Sequence, residues 1–301
     1  MKEAGKTVGM IGLGNMGLGM ASVLVAAGYT VFGFDPAAES SAKAARIGVT
    51  LADSAGEVFA KAPIVVLSLP TAAIVDKVVT GPDGVAARAS GRCVVIDTST
   101  SEPQASRRLA ALLSKNGHGF LDAPVSGGPS GAASGKLAMM IGGAEQDLAD
   151  ARAVIDALAT KVMHVGTSGA GNVAKLVNNL LVAAHMLTTS EALKLAQSAG
   201  VSAEAALGVI NAATGRSAIS EIHVPTWVTT ERFDSGFSAG LMRKDVRLAL
   251  AMAAEVGQTL PVGSLIGKLW EESRHTVPDE EDFTRLAALD PAGAKKETSH
   301  G

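Results

Sequence analysis

The sequence predicts the α/β fold class, with a doubly wound, mainly parallel sheet followed by an all-helical C-terminal domain. Short apolar runs alternate with helix-length segments up to about residue 165, a pattern typical of strands joined by crossover helices. Beyond that point the apolar residues recur with the period of long helices. We therefore expect one domain over residues 1–165 and a second over 166–290. Residues 291–301 lack an apolar period and are predicted to be disordered.

The first elements are a strand predicted over residues 8–13 and a helix predicted over residues 14–27, which Gly28 ends. A secretory signal is the alternative interpretation, because Lys2 and Lys6 precede a largely apolar run. Such a signal requires a continuous apolar helix, whereas glycines interrupt this segment repeatedly. We therefore expect a strand, a turn and a helix here.

Further strand-sized apolar segments follow, and most of the stretches between them are long enough for crossover helices. These segments are "TVFGFD" at 30–35, "PIVVLSLP" at 63–70, "CVVIDTST" at 93–100, "GFLDAPVSGG" at 119–128, "LAMMIGG" at 137–143 and "VMHVG" at 162–166. The second half begins with one long helical pattern from residue 171 that Gly200 ends. Shorter helical patterns cover residues 203–213, 241–257 and 260–273.

The composition is that of a globular protein, with 47% hydrophobic and 18% charged residues in a chain of 301. A net charge of -3 argues against a nucleic acid or an anionic membrane as partner. No apolar run reaches the roughly 20 residues that a transmembrane helix needs. Cys93 is the only cysteine, so the chain has no internal disulfide framework, and we expect a cytoplasmic location.

The stretch "GLGNMG" contains the pattern G-x-G-x-x-G between the first strand and the first helix, where it is typical of dinucleotide binding. Gly12 permits the tight turn, Gly14 lets the backbone approach a pyrophosphate, and Gly17 lets the helix pack close to the sheet. The start of the helix offers free N–H groups to the phosphates. These features predict an NAD or NADP site in a Rossmann-type domain.

Asp35 ends the second predicted strand, 23 residues after Gly12. A carboxylate at this place accepts both ribose hydroxyls of NAD and repels the 2'-phosphate of NADP. The alternative role for Asp35 is a helix cap ahead of Pro36. The sequence thus predicts that NAD is preferred, with NADP possible.

Three further segments carry polar groups at strand or helix ends. They are "LDAPVSGG" at 121–128, "GTSGAGNVAKLVNN" at 166–179 and "GFSAGLMRKD" at 236–245. The second segment puts Lys175, Asn178 and Asn179 on one helix face, because their spacings are three and four residues. Together with "GLGNMG", these blocks resemble the β-hydroxyacid dehydrogenase family in the same order and at the family's spacing, from about residue 7 to residue 290.

The resemblance implies a role for several residues. The family's catalytic lysine matches Lys175, and its substrate-orienting asparagine matches Asn179. Ser126, Gly127 and Gly128 match the turn that binds the substrate carboxylate.

The cofactor contacts that the resemblance implies extend beyond the glycine-rich turn. The whole set is Gly12, Leu13, Gly14, Asn15, Met16, Gly17, Asp35, Leu69, Pro70, Thr100 and Lys244. Phe237 and Asp245 match residues that close and support the substrate site. The resemblance also implies subunits that assemble through the helical half, as a homodimer or a homotetramer.

The implied reaction interconverts a small 3-hydroxy acid and its semialdehyde by hydride transfer, while Lys175 moves the hydroxyl proton. We expect no metal, because the histidines show no ligand spacing. For Lys175 alone a solvated surface role is the alternative, and for Asn178 a helix-to-helix hydrogen bond. A further hypothesis is that Arg216, which follows a glycine, helps to select the substrate.

Other activities stay open at this point. A 3-hydroxyisobutyrate dehydrogenase, a tartronate semialdehyde reductase and a glyoxylate or succinic semialdehyde reductase share these blocks. More distant alternatives are a decarboxylating enzyme that resembles 6-phosphogluconate dehydrogenase and a non-catalytic dinucleotide-binding module. The former has a His-Asn pair where this chain has Asn178 and Asn179, and non-catalytic members are expected to lack the lysine found at position 175.

Overall fold

A computed structural model describes residues 6–88 and 91–288 of the chain, so the predicted tail at 291–301 lies outside the described residues. Within that part the strands are β1 (Thr7–Ile11), β2 (Thr30–Phe34), β3 (Thr50–Leu51), β4 (Ile64–Leu67), β5 (Val94–Asp97), β6 (Gly119–Asp122), β7 (Val125–Ser126), β8 (Leu137–Gly142) and β9 (Ala159–Gly166). They form a single sheet in the order β3-β2-β1-β4-β5-β6-β8-β7, and β9 pairs with β8.

Helices connect these strands and fill the second half of the chain. The first set is α1 (Asn15–Ala26), α2 (Ala38–Arg46), α3 (Ala55–Lys61), α4 (Ala72–Thr80), α5 (Pro103–Lys115), α6 (Gly128–Ser134) and α7 (Glu145–Leu158). The second set is α8 (Ala170–Ser198), α9 (Ala203–Ala212), a π-helix (Ile219–Val228), α10 (Ala239–Glu255) and α11 (Pro261–Glu272). Short 3₁₀ segments lie at Val85–Ala87, Ser273–His275 and Phe283–Ala287.

The sheet is mainly parallel, which confirms the predicted fold class. The pairs from β3 across to β6 are all parallel. By contrast β8 runs antiparallel to β6 and β7, and parallel to β9. Helix-length connections carry the chain between the parallel strands, as the alternating pattern predicted.

Three elements differ from the sequence-based expectation. The two-residue strand β3 was not predicted, because so short a strand leaves no alternating pattern. The segment at 119–128 forms two strands, β6 and β7, because Pro124 lies between them and has no N–H for a sheet hydrogen bond. The π-helix was also missed, because Pro225 inside it is normally a sign that no helix is present.

Apolar side chains cover both faces of the sheet. On β5, Val94 and Ile96 belong to one buried apolar cluster, and Val95 between them belongs to another. Successive side chains of a strand point to opposite faces, so a strand buried on both sides is apolar at every position. A third cluster forms the core of the helices that follow.

The chain divides into two compact units between Val177 and Asn178, inside α8. The boundary expected near residue 165 follows the change of sequence pattern, whereas this division follows packing. The early turns of α8 pack with the first unit, because a buried carboxylate at the end of β6 accepts hydrogen bonds from them.

Candidate active site

The glycine-rich turn joins β1 to α1, and each of its glycines has a different environment. Gly12 has a φ of +88°, and a Cβ there would lie 2.2 Å from the Ser68 carbonyl oxygen. A Cβ on Gly17 would lie 1.9 Å from the Gly12 carbonyl oxygen. Gly14 has no atom within 4 Å of the corresponding position. Packing therefore requires the outer two glycines, while the middle one leaves an open cradle that a side chain would fill.

This cradle fits the pyrophosphate of a dinucleotide. Helix α1 begins at Asn15, and its cap residue, Gly14, has no side chain to bind the free N–H groups. Such uncapped groups bind anions readily. Gly14 and Asn15 are exposed, Met16 is half-buried, and Leu13 packs into the core. Some of the predicted cofactor residues of this turn are thus accessible to a ligand, whereas Leu13 contributes its side chain to the core.

Asp35 follows β2 and faces the same turn. Its Oδ2 accepts a hydrogen bond from the Leu13 N–H at 2.7 Å, and its Oδ1 accepts one from the Ala37 N–H at 2.8 Å. The residue is half-exposed, and each carboxylate oxygen keeps a lone pair for a further donor. The cap of α2 is Ala37, so Asp35 is not the residue at the cap position, although it binds the Ala37 N–H.

The loops after β4 and β5 are joined by Ser99. Its Oγ accepts a hydrogen bond from the Leu69 N–H at 3.0 Å, and its own N–H donates to Asp97 Oδ1 at 3.0 Å. Leu69 is half-buried, and Pro70 beside it is exposed. Thr100, also half-buried, follows Ser99 directly. A hydrogen bond therefore joins the two loops that contain the predicted contacts Leu69, Pro70 and Thr100.

The turn after β7 contains Ser126, Gly127 and Gly128. Gly127 has a φ of +123° and Gly128 a φ of +60°, backbone conformations that favour glycine. Ser126 is half-exposed, and its backbone pairs with Ala138 at the edge of the sheet. The turn thus contains the Ser126 hydroxyl followed by two glycines with positive φ.

Lys175 and Asn179 lie on α8 and are both almost fully buried, at 7% and 4% exposure. The spacing of four residues puts them on one face of this helix. Asn178 is exposed, and its Nδ2 donates to Asn179 Oδ1 at 3.0 Å. The two asparagines therefore differ in burial. Asn179, which the resemblance identifies, is buried, whereas Asn178 is exposed.

In the second unit, Asn179 Nδ2 donates to Asp245 Oδ2 at 2.6 Å. The Asp245 side chain is buried, and no donor with hydrogen-bond geometry meets its Oδ1 among the described residues. The Lys244 ammonium group lies 3.5 Å from Oδ1 and supplies the opposite charge. Asp245 therefore orients Asn179, and its charge is balanced by its neighbour in the chain.

Phe237 is held by its ring and by its backbone. The ring packs edge-on against Phe283 with centroids 5.6 Å apart, and the Phe237 carbonyl accepts a hydrogen bond from the Phe283 N–H at 3.0 Å. By contrast, the Arg216 side chain is mostly exposed, and its Nη1 lies 3.9 Å from Glu221 Oε1. Its role in substrate selection stays a hypothesis.

Sequence reasoning missed the residues that hold these elements in place. Arg243 is 1% exposed and donates to the Trp270 and Val277 carbonyls and the Ser273 hydroxyl. It also pairs with Asp279, and so fixes the helix that carries Lys244 and Asp245. A buried arginine next to a motif lysine leaves no sign in the sequence, because its partners come from a later part of the chain.

Asp122 and Asn172 were missed for the same reason. Asp122 is fully buried and accepts hydrogen bonds from the Gly169 and Asn172 backbone N–H groups. Burial raises the pKa of the Asp122 carboxyl, and these backbone hydrogen bonds oppose the rise. The aspartate lies in the "LDAPVSGG" block, but nothing in that block shows that its partner is a helix 47 residues later.

Comparison with known proteins agrees with the geometry of both units. A family model described as the NAD binding domain of 6-phosphogluconate dehydrogenase matches residues 7–166. A second model, described as NAD-binding of NADP-dependent 3-hydroxyisobutyrate dehydrogenase, matches residues 169–289. A probable 3-hydroxyisobutyrate dehydrogenase of Mycobacterium tuberculosis is 41% identical over 264 residues, covering 86% of this chain and 89% of the relative. The chain belongs to the β-hydroxyacid dehydrogenase family.

Other members of the family support the assignment along nearly the whole chain. The 2-(hydroxymethyl)glutarate dehydrogenase of Eubacterium barkeri is 33% identical over 279 residues, covering 93% of each chain. The solved structure of the Mycobacterium tuberculosis 3-hydroxyisobutyrate dehydrogenase with L-serine has a TM-score of 0.87 at 38% identity. That match covers 94% of this chain and 98% of the other. The protein is thus an NAD(P)-binding oxidoreductase of the hydroxyacid dehydrogenase type.

Two features are absent from the part of the chain that the structure describes. No helix there is both long and apolar enough to span a membrane. No group of three or more histidine, cysteine, aspartate or glutamate side chains is arranged to hold a metal ion in the same ranges.

Proposed function

We propose that the protein interconverts a small 3-hydroxy acid and its semialdehyde, with 3-hydroxyisobutyrate as the first substrate to test. The observation that carries this proposal is the almost fully buried Lys175 on α8, one turn before Asn179. The chain that contains it belongs to a family of hydroxyacid dehydrogenases. The substrate class is taken from the names of the relatives. Tartronate semialdehyde, succinic semialdehyde and glyoxylate are the alternative substrates.

In this proposal the turn after β7 binds the substrate carboxylate, and Lys175 moves the proton. The Ser126 hydroxyl and the backbone of Gly127 and Gly128 bind the carboxylate. Lys175 takes the proton of the substrate hydroxyl during oxidation and returns a proton to the aldehyde oxygen during reduction. When bound, the dinucleotide accepts the hydride in the first direction and supplies it in the second.

The family's blocks also assign residues that orient the substrate and contact the cofactor. Asn179 donates a hydrogen bond to the reacting oxygen, and Asp245 fixes the amide of Asn179 for this task. Lys244 contacts the cofactor, and Phe237 closes the site. These assignments rest on the match to the family's blocks and on the burial of Asn179 and Asp245.

We also propose that NAD is preferred over NADP. Asp35 is held in place by two backbone N–H groups, so its charge cannot easily turn away from a ribose phosphate. Lys43, the nearest cation in the following sequence, is 2.7 Å from Glu39. It is thus already paired with another carboxylate. Leu69, Pro70 and Thr100 complete the proposed cofactor contacts.

The remaining expectations belong to the same proposal. The domains are proposed at 1–165 for NAD binding and at 166–290 for substrate binding and assembly. We propose a homodimer or homotetramer formed through the helical half. A cytoplasmic location is supported by Cys93, the only cysteine in the chain, which is buried as a free thiol whose pKa burial raises to about 12.

A substrate panel tests the proposed reaction. It contains 3-hydroxyisobutyrate, L-serine, 2-(hydroxymethyl)glutarate, tartronate semialdehyde, succinic semialdehyde and glyoxylate. Each compound is assayed with NAD(H) and NADP(H) by absorbance at the nicotinamide band. The proposal requires turnover of at least one 3-hydroxy acid or its semialdehyde. Absence of turnover across the panel, with dinucleotide binding intact, would overturn it.

The variant Lys175→Ala tests the proton-transfer role. We expect kcat to fall about 100- to 10,000-fold, the range for removal of a general acid or base. The affinity for NADH, measured by fluorescence titration, should change less than about threefold, because the dinucleotide cradle lies on other elements. Lys194→Ala on the same helix is the control and should keep full turnover. A Lys175→Ala enzyme that retains more than about a tenth of wild-type turnover contradicts the role.

A further inference from the structure

We propose that Asp122 and Asn172 are positioning residues that set the place of Lys175 by fixing the first turns of α8. This inference rests on the proposed role of Lys175 in proton transfer. Neither residue is expected to touch the substrate. Each acts through the helix that carries the lysine.

The Asp122 carboxylate binds the backbone at the beginning of α8. Its Oδ1 accepts a hydrogen bond from the Gly169 N–H at 2.7 Å, and its Oδ2 accepts one from the Asn172 N–H at 3.0 Å. The side chain is 0% exposed. A carboxylate at the start of a helix satisfies free N–H groups and interacts favourably with the helix dipole. Because the carboxylate is buried and accepts both hydrogen bonds, it anchors the first turn of the helix.

Close packing leaves no room for the helix to slide toward the sheet. A Cβ on Gly171 would lie 2.4 Å from the carbonyl oxygens of both Asp122 and Met140. A Cβ on Gly142 would lie 2.6 Å from Asp122 Oδ1 and 2.8 Å from the Ala170 nitrogen. Glycines thus allow the helix to reach the strand ends so closely that the carboxylate can bind it.

Asn172 ties the same turn of α8 to the loop after β5. Its Oδ1 accepts a hydrogen bond from the Ser101 N–H at 2.9 Å, and its Nδ2 donates to Ser106 Oγ at 3.0 Å. All three residues are at most 3% exposed. Ser101 follows Thr100, which is a proposed cofactor contact. The amide of Asn172 therefore connects the cofactor side of the sheet to the helix.

Through their side-chain hydrogen bonds, Asp122 and Asn172 join the start of α8 to the end of β6 and to the segment after β5. Lys175 comes three residues after Asn172, on the same face of α8. Ser126 comes four residues after Asp122 in the chain. A displacement of about 1 Å at reacting groups can cost about 100-fold in rate. Loss of either anchor should therefore lower turnover while the binding groups themselves stay intact.

The test compares Asp122→Asn with the matched control Asp147→Asn. Asp147 also accepts a backbone hydrogen bond on β6, from the Phe120 N–H, and it also forms an ion pair with Arg92, but its helix is α7. We expect Asp122→Asn to lower kcat about 10- to 100-fold, with KM and NADH affinity changed less than about threefold. The solvent deuterium isotope effect on kcat should rise, because proton transfer becomes slower. Asp147→Asn should lower the melting temperature and leave kcat and the isotope effect unchanged.

A second readout needs no turnover. Hydrogen exchange of the full chain without cofactor, followed by mass spectrometry, should show faster exchange in the peptide covering residues 169–175 of Asp122→Asn. The same peptide should be unchanged in Asp147→Asn. If Asp122→Asn does not fold, Asn172→Ala takes its place, because it removes both side-chain hydrogen bonds and keeps the backbone bond to Asp122.

The outcomes separate this inference from the proposed function. If Lys175→Ala loses turnover while Asp122→Asn and Asn172→Ala keep wild-type kcat and isotope effect, the positioning role is wrong and the role of Lys175 stands. Equal losses of kcat in Asp122→Asn and Asp147→Asn also overturn the positioning role, since general destabilisation then explains them. If Lys175→Ala keeps its turnover, the proposed function fails together with this inference.

Discussion

Asp35 and Asp122 are two aspartates at the carboxyl ends of strands in the same sheet, and both accept two backbone N–H groups. Asp35 is half-exposed, and its partners are Leu13 in the glycine-rich turn and Ala37 at the start of α2. Asp122 is fully buried, and its partners are Gly169 and Asn172 at the start of α8. The first carboxylate keeps a face open to a ligand, whereas the second is enclosed by the protein.

This difference shows that an aspartate carboxylate at a strand end can bind a ligand when it is exposed and can stabilise the fold when it is buried. A ligand can add a donor to Asp35 because solvent reaches the carboxylate. The burial of Asp122 is unfavourable for a charge, and only its backbone hydrogen bonds offset that cost. Substitution at Asp35 should therefore change cofactor preference, whereas substitution around Asp122 should change stability. Three experiments test this difference.

The largest expected effect comes from closing the space around the buried carboxylate. Gly171→Ala places a methyl group 2.4 Å from two carbonyl oxygens, so α8 must shift or the strand ends must move. We expect the free energy of unfolding to fall by about 3 kcal/mol or more, as for severe overpacking. Urea unfolding followed by circular dichroism measures it.

The control for this substitution is Gly208→Ala in α9, where no atom lies within 4 Å of the new methyl group. Alanine in the interior of a helix is favoured over glycine by roughly 1 kcal/mol, so this variant should gain stability. A Gly171→Ala protein as stable as the wild type would show that α8 is not packed against Asp122 in solution.

An intermediate effect is expected at the open carboxylate. Asp35→Asn removes the negative charge near the ribose and should shift the ratio of kcat/KM for NAD and NADP at least about tenfold toward NADP. Asp53→Asn, an exposed aspartate of the same domain, is the matched control and should leave the ratio unchanged. An unchanged ratio in Asp35→Asn would exclude this residue as the basis of cofactor preference.

The smallest effect concerns pH. Burial raises the pKa of Asp122 above its usual value of 3.8, so the folded protein binds this proton more tightly than the unfolded chain does. The stability of the wild type relative to Asp122→Asn should therefore increase as the pH falls through the raised pKa, and should level off below 3.8. Urea unfolding of both proteins between neutral and acidic pH measures the difference. A relative stability that decreases on acidification would contradict the sign.

The sequence predicted the parts of the fold that depend on neighbours in the chain. The glycine-rich turn, most of the apolar strands and the long helix α8 have a local pattern, and these were placed within a few residues. The family's motif blocks also pointed to Lys175 and Asn179. Their roles remain predictions, although both residues are buried as a site requires.

What the sequence did not predict depends on distance along the chain. The hydrogen bonds of Asp122 span 47 and 50 residues, and those of Asn172 to Ser101 and Ser106 span 71 and 66. A periodic pattern carries no information about such partners. The π-helix was missed for a different reason, since Pro225 normally ends a helix and here occurs within one.

The continuity of α8 has a consequence for making hybrid enzymes from members of this family. The helix runs without a break from Ala170 to Ser198, and the division between the compact units falls inside it. A hybrid joined in the loop before α8 would pair the Asp122 of one parent with the helix start of another. A junction placed after Val177 keeps the aspartate, its glycines and its asparagine from a single parent. Exchange of the helical halves should therefore give folded hybrids more often with the junction inside the helix than with the junction in the loop.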